Sequence, residues 1–238
     1  MVVAASTLGL SRCDRMPHEA VSPWQVANDI ADIRKPVLSY ALLAANPHNI
    51  QPWLVNLDVA DEILLLVDPE RLLPFTDPYL RQIVIGHGTF LENLSIAAAH
   101  FGYSAEIGYE PHGAIDPTRL LETPVARIRL VKTSGSEHSL FSQITQRRSN
   151  KTPFDMTRSL DQQHIDELTT LTNPSLLPIQ VRTDQSEVNT ITSLAESAIN
   201  IEMATPHTLT ESIDVTRIGA DEIRKNPDSI DLHGPMFW

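Results

Sequence analysis

Residues 44–53, AANPHNIQPW, impose the tightest conformational rule in this chain. Pro47 ends any helix arriving through Leu42 and Ala45, because its ring crowds the preceding turn and it has no N–H to donate. Pro52 in turn biases Gln51 away from helical geometry. Upstream, Val37, Leu38, Ala41, Leu42 and Ala45 recur at intervals of three and four behind Pro36, a first-turn proline, which predicts a helix. Downstream, 53–59 and 63–67 predict two short strands joined by a turn at Asp61. The stretch is therefore a helix-to-strand junction, where rigid scaffolds commonly carry binding loops.

The rest of the chain keeps switching between helical and strand periods. DPERLLPFTDP is a second irregular connection, and Asp77 followed by Pro78 predicts an N-cap and first turn. In the helix that follows, Ile83, Val84, His87, Phe90, Leu91, Leu94 and Ala98 lie on or near one side, making His87 a packed histidine rather than a ligand. Strands are predicted over 105–109 and 125–131. KTSGSEHS, at 132–139, marks a candidate lobe boundary. Beyond it come a short helix at 140–146, a helix at 161–171, a strand at 177–181, a helix at 187–201 and another over 208–218. This order predicts an α+β fold with helices around a largely antiparallel sheet. The implied division is a leader or linker at 1–22, then units at 23–134 and 135–238.

Charge and cysteine content narrow the function classes. Eighteen basic against thirty acidic residues leave a formal charge of -12, a field that repels nucleic acid and anionic membranes. With one cysteine, Cys13, the chain has no intrachain disulfide or paired-cysteine redox centre. No run is long enough to span a bilayer. MVVAASTLGLSRC reads either as the later part of an export signal or as a weakly helical tail, and Arg12 before Cys13 argues against lipid attachment. The apolar ending Pro235, Met236, Phe237 and Trp238 follows a Gly-Pro turn, which is expected to lead into a further element of a longer chain.

Two polar loops carry the candidate chemistry. Asn49 and Gln51 offer amide donors and acceptors able to read the edge of a heterocycle, with Trp53 as an apolar wall and His48 as a further donor or acceptor. The alternative is a rigid connection anchored by a buried tryptophan. RRSNK, comprising Arg147, Arg148, Ser149, Asn150 and Lys151, is the one dense cationic cluster in an acidic sequence. Two guanidinium forks, a hydroxyl and an ammonium suit a phosphate, although a solvated helix end would use the same residues.

Together, AANPHNIQPW and RRSNKTPF resemble the paired signatures of the nitroreductase family: a small-residue segment before Asn-x-Gln-Pro-Trp, and a basic loop before Phe. The order of DPERLLPFTDP, IGHGTFLENLSIAAAHFGY and VTRIGADEIRKNPDSIDLHGP is most similar to the Acg-type branch, and these landmarks span most of 36–235. The resemblance implies an FMN-containing α+β fold built from two related half-units. It also implies a homodimer, or a monomer whose halves mimic one. Arg147, Ser149 and Lys151 would hold the flavin phosphate or ribityl chain, assisted by Arg148, while Asn49 and Gln51 would face the ribityl chain or ring edge. The implied partners are NADH or NADPH and a small aromatic acceptor such as a nitroaromatic or quinone, in a bacterial cytoplasm or periplasm. Here the basic loop follows the Asn-Gln-Pro-Trp loop, the reverse of conventional relatives, and Lys151 stands where many Acg-type sequences have arginine. A flavin-sequestering protein with little turnover, and a cofactor-free remnant, are the alternatives.

Overall fold

The computed structural model describes residues 16–24, 31–109, 117–134, 138–150, 152–155, 157–170 and 178–233. The signal-like start, Lys151, Leu177 and the apolar ending lie outside the described residues. The chain forms two compact units, one of Met1–Arg147 with Thr210–Trp238 and one of Arg148–Leu209.

The first unit is built on a four-stranded antiparallel sheet of β1 (Trp53–Asn56), β2 (Glu62–Val67), β3 (Tyr103–Tyr109) and β4 (Ala126–Lys132), in the order β1-β2-β4-β3. Its register pairs Trp53 with Val67, Ile63 with Ile128 and Ile107 with Ile128, so apolar residues share one face. Against that face pack α1 (Arg34–Ala41) and α2 (Arg81–His100), and the core is filled by Val37, Ala41, Ile63, Leu65, Phe90, Leu94 and Ile128. The opposite face carries Glu62, Glu106, Arg127 and Arg129, with Glu62 accepting from both arginines at 2.8 and 3.0 Å. Those two bonds hold its carboxyl below the usual carboxylate range.

Short helices α3 (Pro117–Leu120) and α4 (Phe141–Ile144) follow in chain order. The second unit contains α5 (Gln162–Thr170) and α6 (Gln185–Ala204). The Asp184 carboxylate caps α6 by accepting from Ser186 and Glu187 N–H, both at 3.0 Å. Next, α7 (Pro206–Asp214) leads back into the first unit, where β5 (Thr216–Ile218), α8 (Gly219–Lys225) and β6 (Ile230–Leu232) form a small parallel pair with its connecting helix. The architecture is thus α+β, with an antiparallel sheet, a short parallel pair and surrounding helices.

Several elements differ from the sequence expectation for identifiable reasons. Helix α1 stops at Ala41 instead of reaching Ala45, where the chain tightens into i→i−3 bonds, Leu43 N–H donating to Tyr40 O at 3.1 Å and Ala44 N–H to Ala41 O at 3.0 Å. Asp77 does not start α2. The helix begins at Arg81, and the buried Asp77 carboxylate reaches forward to the Ile83 N–H at 2.9 Å. Residues 178–181 form no strand, since no ladder partner meets them among the described residues. The helix expected over 208–218 breaks after Asp214, where 216–218 pairs with 230–232.

Candidate functional site

The junction at 44–53 is a compact loop held by its own polar side chains. Pro47–Asn49 makes one 3₁₀ turn, closed by Ile50 N–H donating to Pro47 O at 3.1 Å. Asn46 braces it: its Oδ1 accepts from Gln51 N–H at 2.8 Å and its Nδ2 donates to Ala44 O at 3.1 Å. His48, Asn49 and Gln51 have φ of 47°, 52° and 52°. Asparagine and histidine tolerate this left-handed region, whereas a glutamine before proline is strained there. Strain of this kind persists only where the surroundings over-determine it, and it concentrates at functional sites. Ile50, Pro47 and Pro52 are the buried pegs.

Trp53 does not wall a ligand pocket. It lies in the core, with its ring 5.0 Å from Phe90 and edge-on to His87 at 6.4 Å. His87 is buried as expected, with Nδ1 2.8 Å from Ile83 O and Nε2 3.3 Å from Leu66 O. Burial pushes its pKa down, so the ring is neutral near pH 7 and has one N–H, which the shorter contact places on Nδ1.

The surroundings that over-determine the loop come from the far end of the chain. Ser229 N–H donates to Asn49 O at 2.8 Å, and Asn49 Nδ2 donates to Ser229 O at 3.1 Å. Gln51 Nε2 donates to Pro227 O at 3.3 Å. Between these, Arg71 Nη1 donates both to Ile50 O at 2.8 Å and to the Asp228 carboxylate at 3.0 Å. Arg217 and the Ser229 hydroxyl bond the other Asp228 oxygen, each at 3.1 Å. Sequence reading missed Arg71, Arg217, Asp228 and Ser229. The segments DPERLLPFTDP and VTRIGADEIRKNPDSIDLHGP contain them, but neither those segments nor the turn-forming run NPDS names a partner.

The basic cluster is divided between the units. Arg147 belongs to the first, where its Nη2 donates to Leu43 O at 3.4 Å, at the end of the α1 turn that feeds the Asn49 and Gln51 loop. Arg148 and Ser149 open the second unit and are exposed, and Lys151 lies outside the described residues. Asn150 accepts from the Thr152 N–H at 3.0 Å and from its hydroxyl at 2.6 Å, closing a local turn. The structure therefore brings Arg147 to the approach of the first loop, along with Asn49 and Gln51 in one unit.

A cavity of about 280 Å³ on the outer sheet face is lined by Glu62, Glu106, Ile107, Gly108, Arg127 and Arg129, none of them a candidate site residue. Among the described residues no group of His, Cys, Asp and Glu could hold a metal ion, and no helix is long and apolar enough to cross a membrane.

No protein-family model matches the chain, and no curated protein matches it. Among solved structures it is similar to a nitroreductase-like protein from Streptococcus mutans, with 16% identity and a TM-score of 0.31, over 48% of this chain and 83% of that one.

Proposed function

We propose that this chain is an FMN-binding oxidoreductase of the nitroreductase type, of the Acg-like branch, that uses NADH or NADPH to reduce nitroaromatics, quinones or related acceptors. The reading rests on the paired motifs AANPHNIQPW and RRSNKTPF. The observation that carries it is the Arg147 bond to Leu43 O, made across 104 residues of sequence within one compact unit. It ties a cation of the second motif to the residue just before the first, which supports the reading.

The donor set suits a phosphorylated heteroaromatic ligand in kind. Arg147, Ser149 and Lys151, with Arg148 assisting, supply the guanidinium, hydroxyl and ammonium donors a phosphate or ribityl chain requires. Asn49 and Gln51 supply carboxamides for the ribityl chain or ring edge, and their oxygens accept no hydrogen bond among the described residues. FMN, when bound, supplies the hydride chemistry, so no protein nucleophile or metal is needed. The chain's own task is to bind and orient. The left-handed backbone at His48, Asn49 and Gln51 presents the amides in a fixed turn, and in a chain of net charge -12 the local cations offset the field that opposes an anion. In this reading 23–134 and 135–238 are two related half-units sharing the cofactor, either within a monomer or in a homodimer, in a bacterial cytoplasm or periplasm.

A second reading, a flavin-binding protein with little turnover, is favoured by the engagement of Asn49 and Gln51 with 227–229. Visible absorption tests both. Freshly purified or FMN-reconstituted protein should absorb near ~450 nm, the band of the oxidised cofactor. A colourless protein that also rejects added FMN rules out both flavin readings. Anaerobic bleaching by NADH or NADPH then separates an oxidoreductase from a sequestering protein.

A further inference from the structure

We infer that the 227–229 turn, fixed by Asp228, is a positioning element for Asn49 and Gln51. It makes the loop select a ligand edge that carries hydrogen-bond donors. The inference rests on the flavin reading of the same site.

The argument begins with amide polarity. A carboxamide has a donating nitrogen and an accepting oxygen, and which end faces a ligand is settled by what the other end meets. Asn49 Nδ2 meets Ser229 O at 3.1 Å and Gln51 Nε2 meets Pro227 O at 3.3 Å. Both partners are backbone carbonyls, which only accept, so neither amide can be turned round without setting oxygen against oxygen. Each nitrogen thereby commits one of its N–H groups to the turn, and among the described residues the two oxygens meet no protein donor. A ligand lying along the loop meets acceptors, and the complementary edge is an imide N–H or a row of hydroxyls.

The turn itself is held from outside. The Asp228 carboxylate accepts from Arg71 at 3.0 Å on one oxygen and from Arg217 at 3.1 Å on the other. Ser229, with φ of 68°, reverses the chain so that its N–H reaches Asn49 O at 2.8 Å. Then Ile230 N–H enters the small parallel sheet by donating to Val215 O at 2.9 Å. Asp228 touches neither amide directly. Its role is to keep the carbonyls of Pro227 and Ser229 where they orient the two side chains.

The test compares wild type with Asp228→Ala and Asp228→Asn, each first checked for intact far-UV circular dichroism and cooperative unfolding. Amide exchange is followed at Ser229 against Leu65 and Ile128 in the sheet. Affinities for FMN and for N3-methylated FMN, which lacks the imide donor, are read by fluorescence quenching. Asp228→Ala should speed exchange at Ser229 about tenfold with the sheet amides unchanged, and should weaken FMN binding about tenfold, with Asp228→Asn intermediate. If the imide is the edge recognised, wild type prefers FMN to its N3-methyl form and Asp228→Ala loses that preference. If the hydroxyls are recognised, the two flavins bind alike and both weaken in the variant. Unchanged exchange at Ser229, or faster exchange with wild-type FMN affinity, overturns the positioning role. Absence of quenching in wild type overturns the flavin reading instead, and is told apart because the failure then precedes any substitution.

Discussion

Gly86 lies so close to Pro47 that a Cβ added to it would sit 3.1 Å from the proline Cδ and 3.3 Å from Asn46 Cβ. This contact sets the 44–53 loop directly on α2, and neither neighbour moves easily. Pro47 is a buried ring, and Asn46 is tied by hydrogen bonds to Ala44 and Gln51. Two turns of chain chemistry, the proline and the asparagine, thus depend on a missing side chain on a helix far along the sequence.

Gly86→Ala and Gly88→Ala should therefore have opposite signs. Each gains roughly 1 kcal/mol of helix propensity. At Gly88 nothing lies within 4 Å of the new methyl, so the gain is kept. At Gly86 overpacking against Pro47 costs about 1–3 kcal/mol and outweighs it. Urea unfolding checks the pair, and equal stabilisation by both would show that the loop is not seated on α2 as described.

Arg34 gathers the β1–β2 connection. Its Nη1 donates to Leu57 O, Val59 O and Glu62 O at 3.1, 2.8 and 2.9 Å, while its remaining nitrogens bond Asp32, whose carboxyl is held below its usual range by that pairing. Lysine keeps the charge but cannot serve the carbonyls and the carboxylate together. Arg34→Lys should lose about 1–2 kcal/mol in denaturant unfolding, and a change within error would remove Arg34 from its role in the turn.

The buried His87 should make stability fall in mild acid. Its folded pKa lies below the unfolded value of about 6.5, so the unfolded chain takes up the proton first. The contribution is complete above that unfolded value, begins to be lost as pH falls through it, and is gone below the folded one. Midpoints of urea unfolding between pH 7.5 and pH 5.5 should show this slope, and His87→Gln should flatten it whatever its effect on absolute stability. A slope identical in wild type and variant would assign the acid sensitivity elsewhere.

Arg147 should matter to ligand more than to fold. Its bond to Leu43 O is long, at 3.4 Å, so the loss of that bond in Arg147→Ala should by itself move the unfolding midpoint little. Under the flavin reading the same change removes a charged phosphate partner and should weaken FMN between about tenfold and a hundredfold, with Lys151→Ala also weakening it. Wild-type affinity in Arg147→Ala would take that residue out of the cofactor site.

Some of this was written in local chemistry. Pro47 and Pro52 by themselves require a break between helix and strand, because no backbone with those rings continues either element across 47–52. The apolar spacing of Ile83, His87, Phe90, Leu91 and Leu94 likewise determined which side of α2 is buried, since a period of 3.6 puts those residues on one face whatever lies opposite. What no local pattern could decide is where a polar group finds its partner. Asn49 and Gln51 were legible as unusual amides. Their partners Ser229 and Pro227, 180 and 176 positions away, and the Arg71 bond to Asp228, across 157, exist only because chain closure brings distant residues into hydrogen-bond range, whereas the strand at 216–218 and the Arg217 bond to Asp228 use partners close in sequence. Side-chain hydrogen bonds between distant residues carry no sequence period, so the orientation of the loop's amides belongs to the tertiary structure.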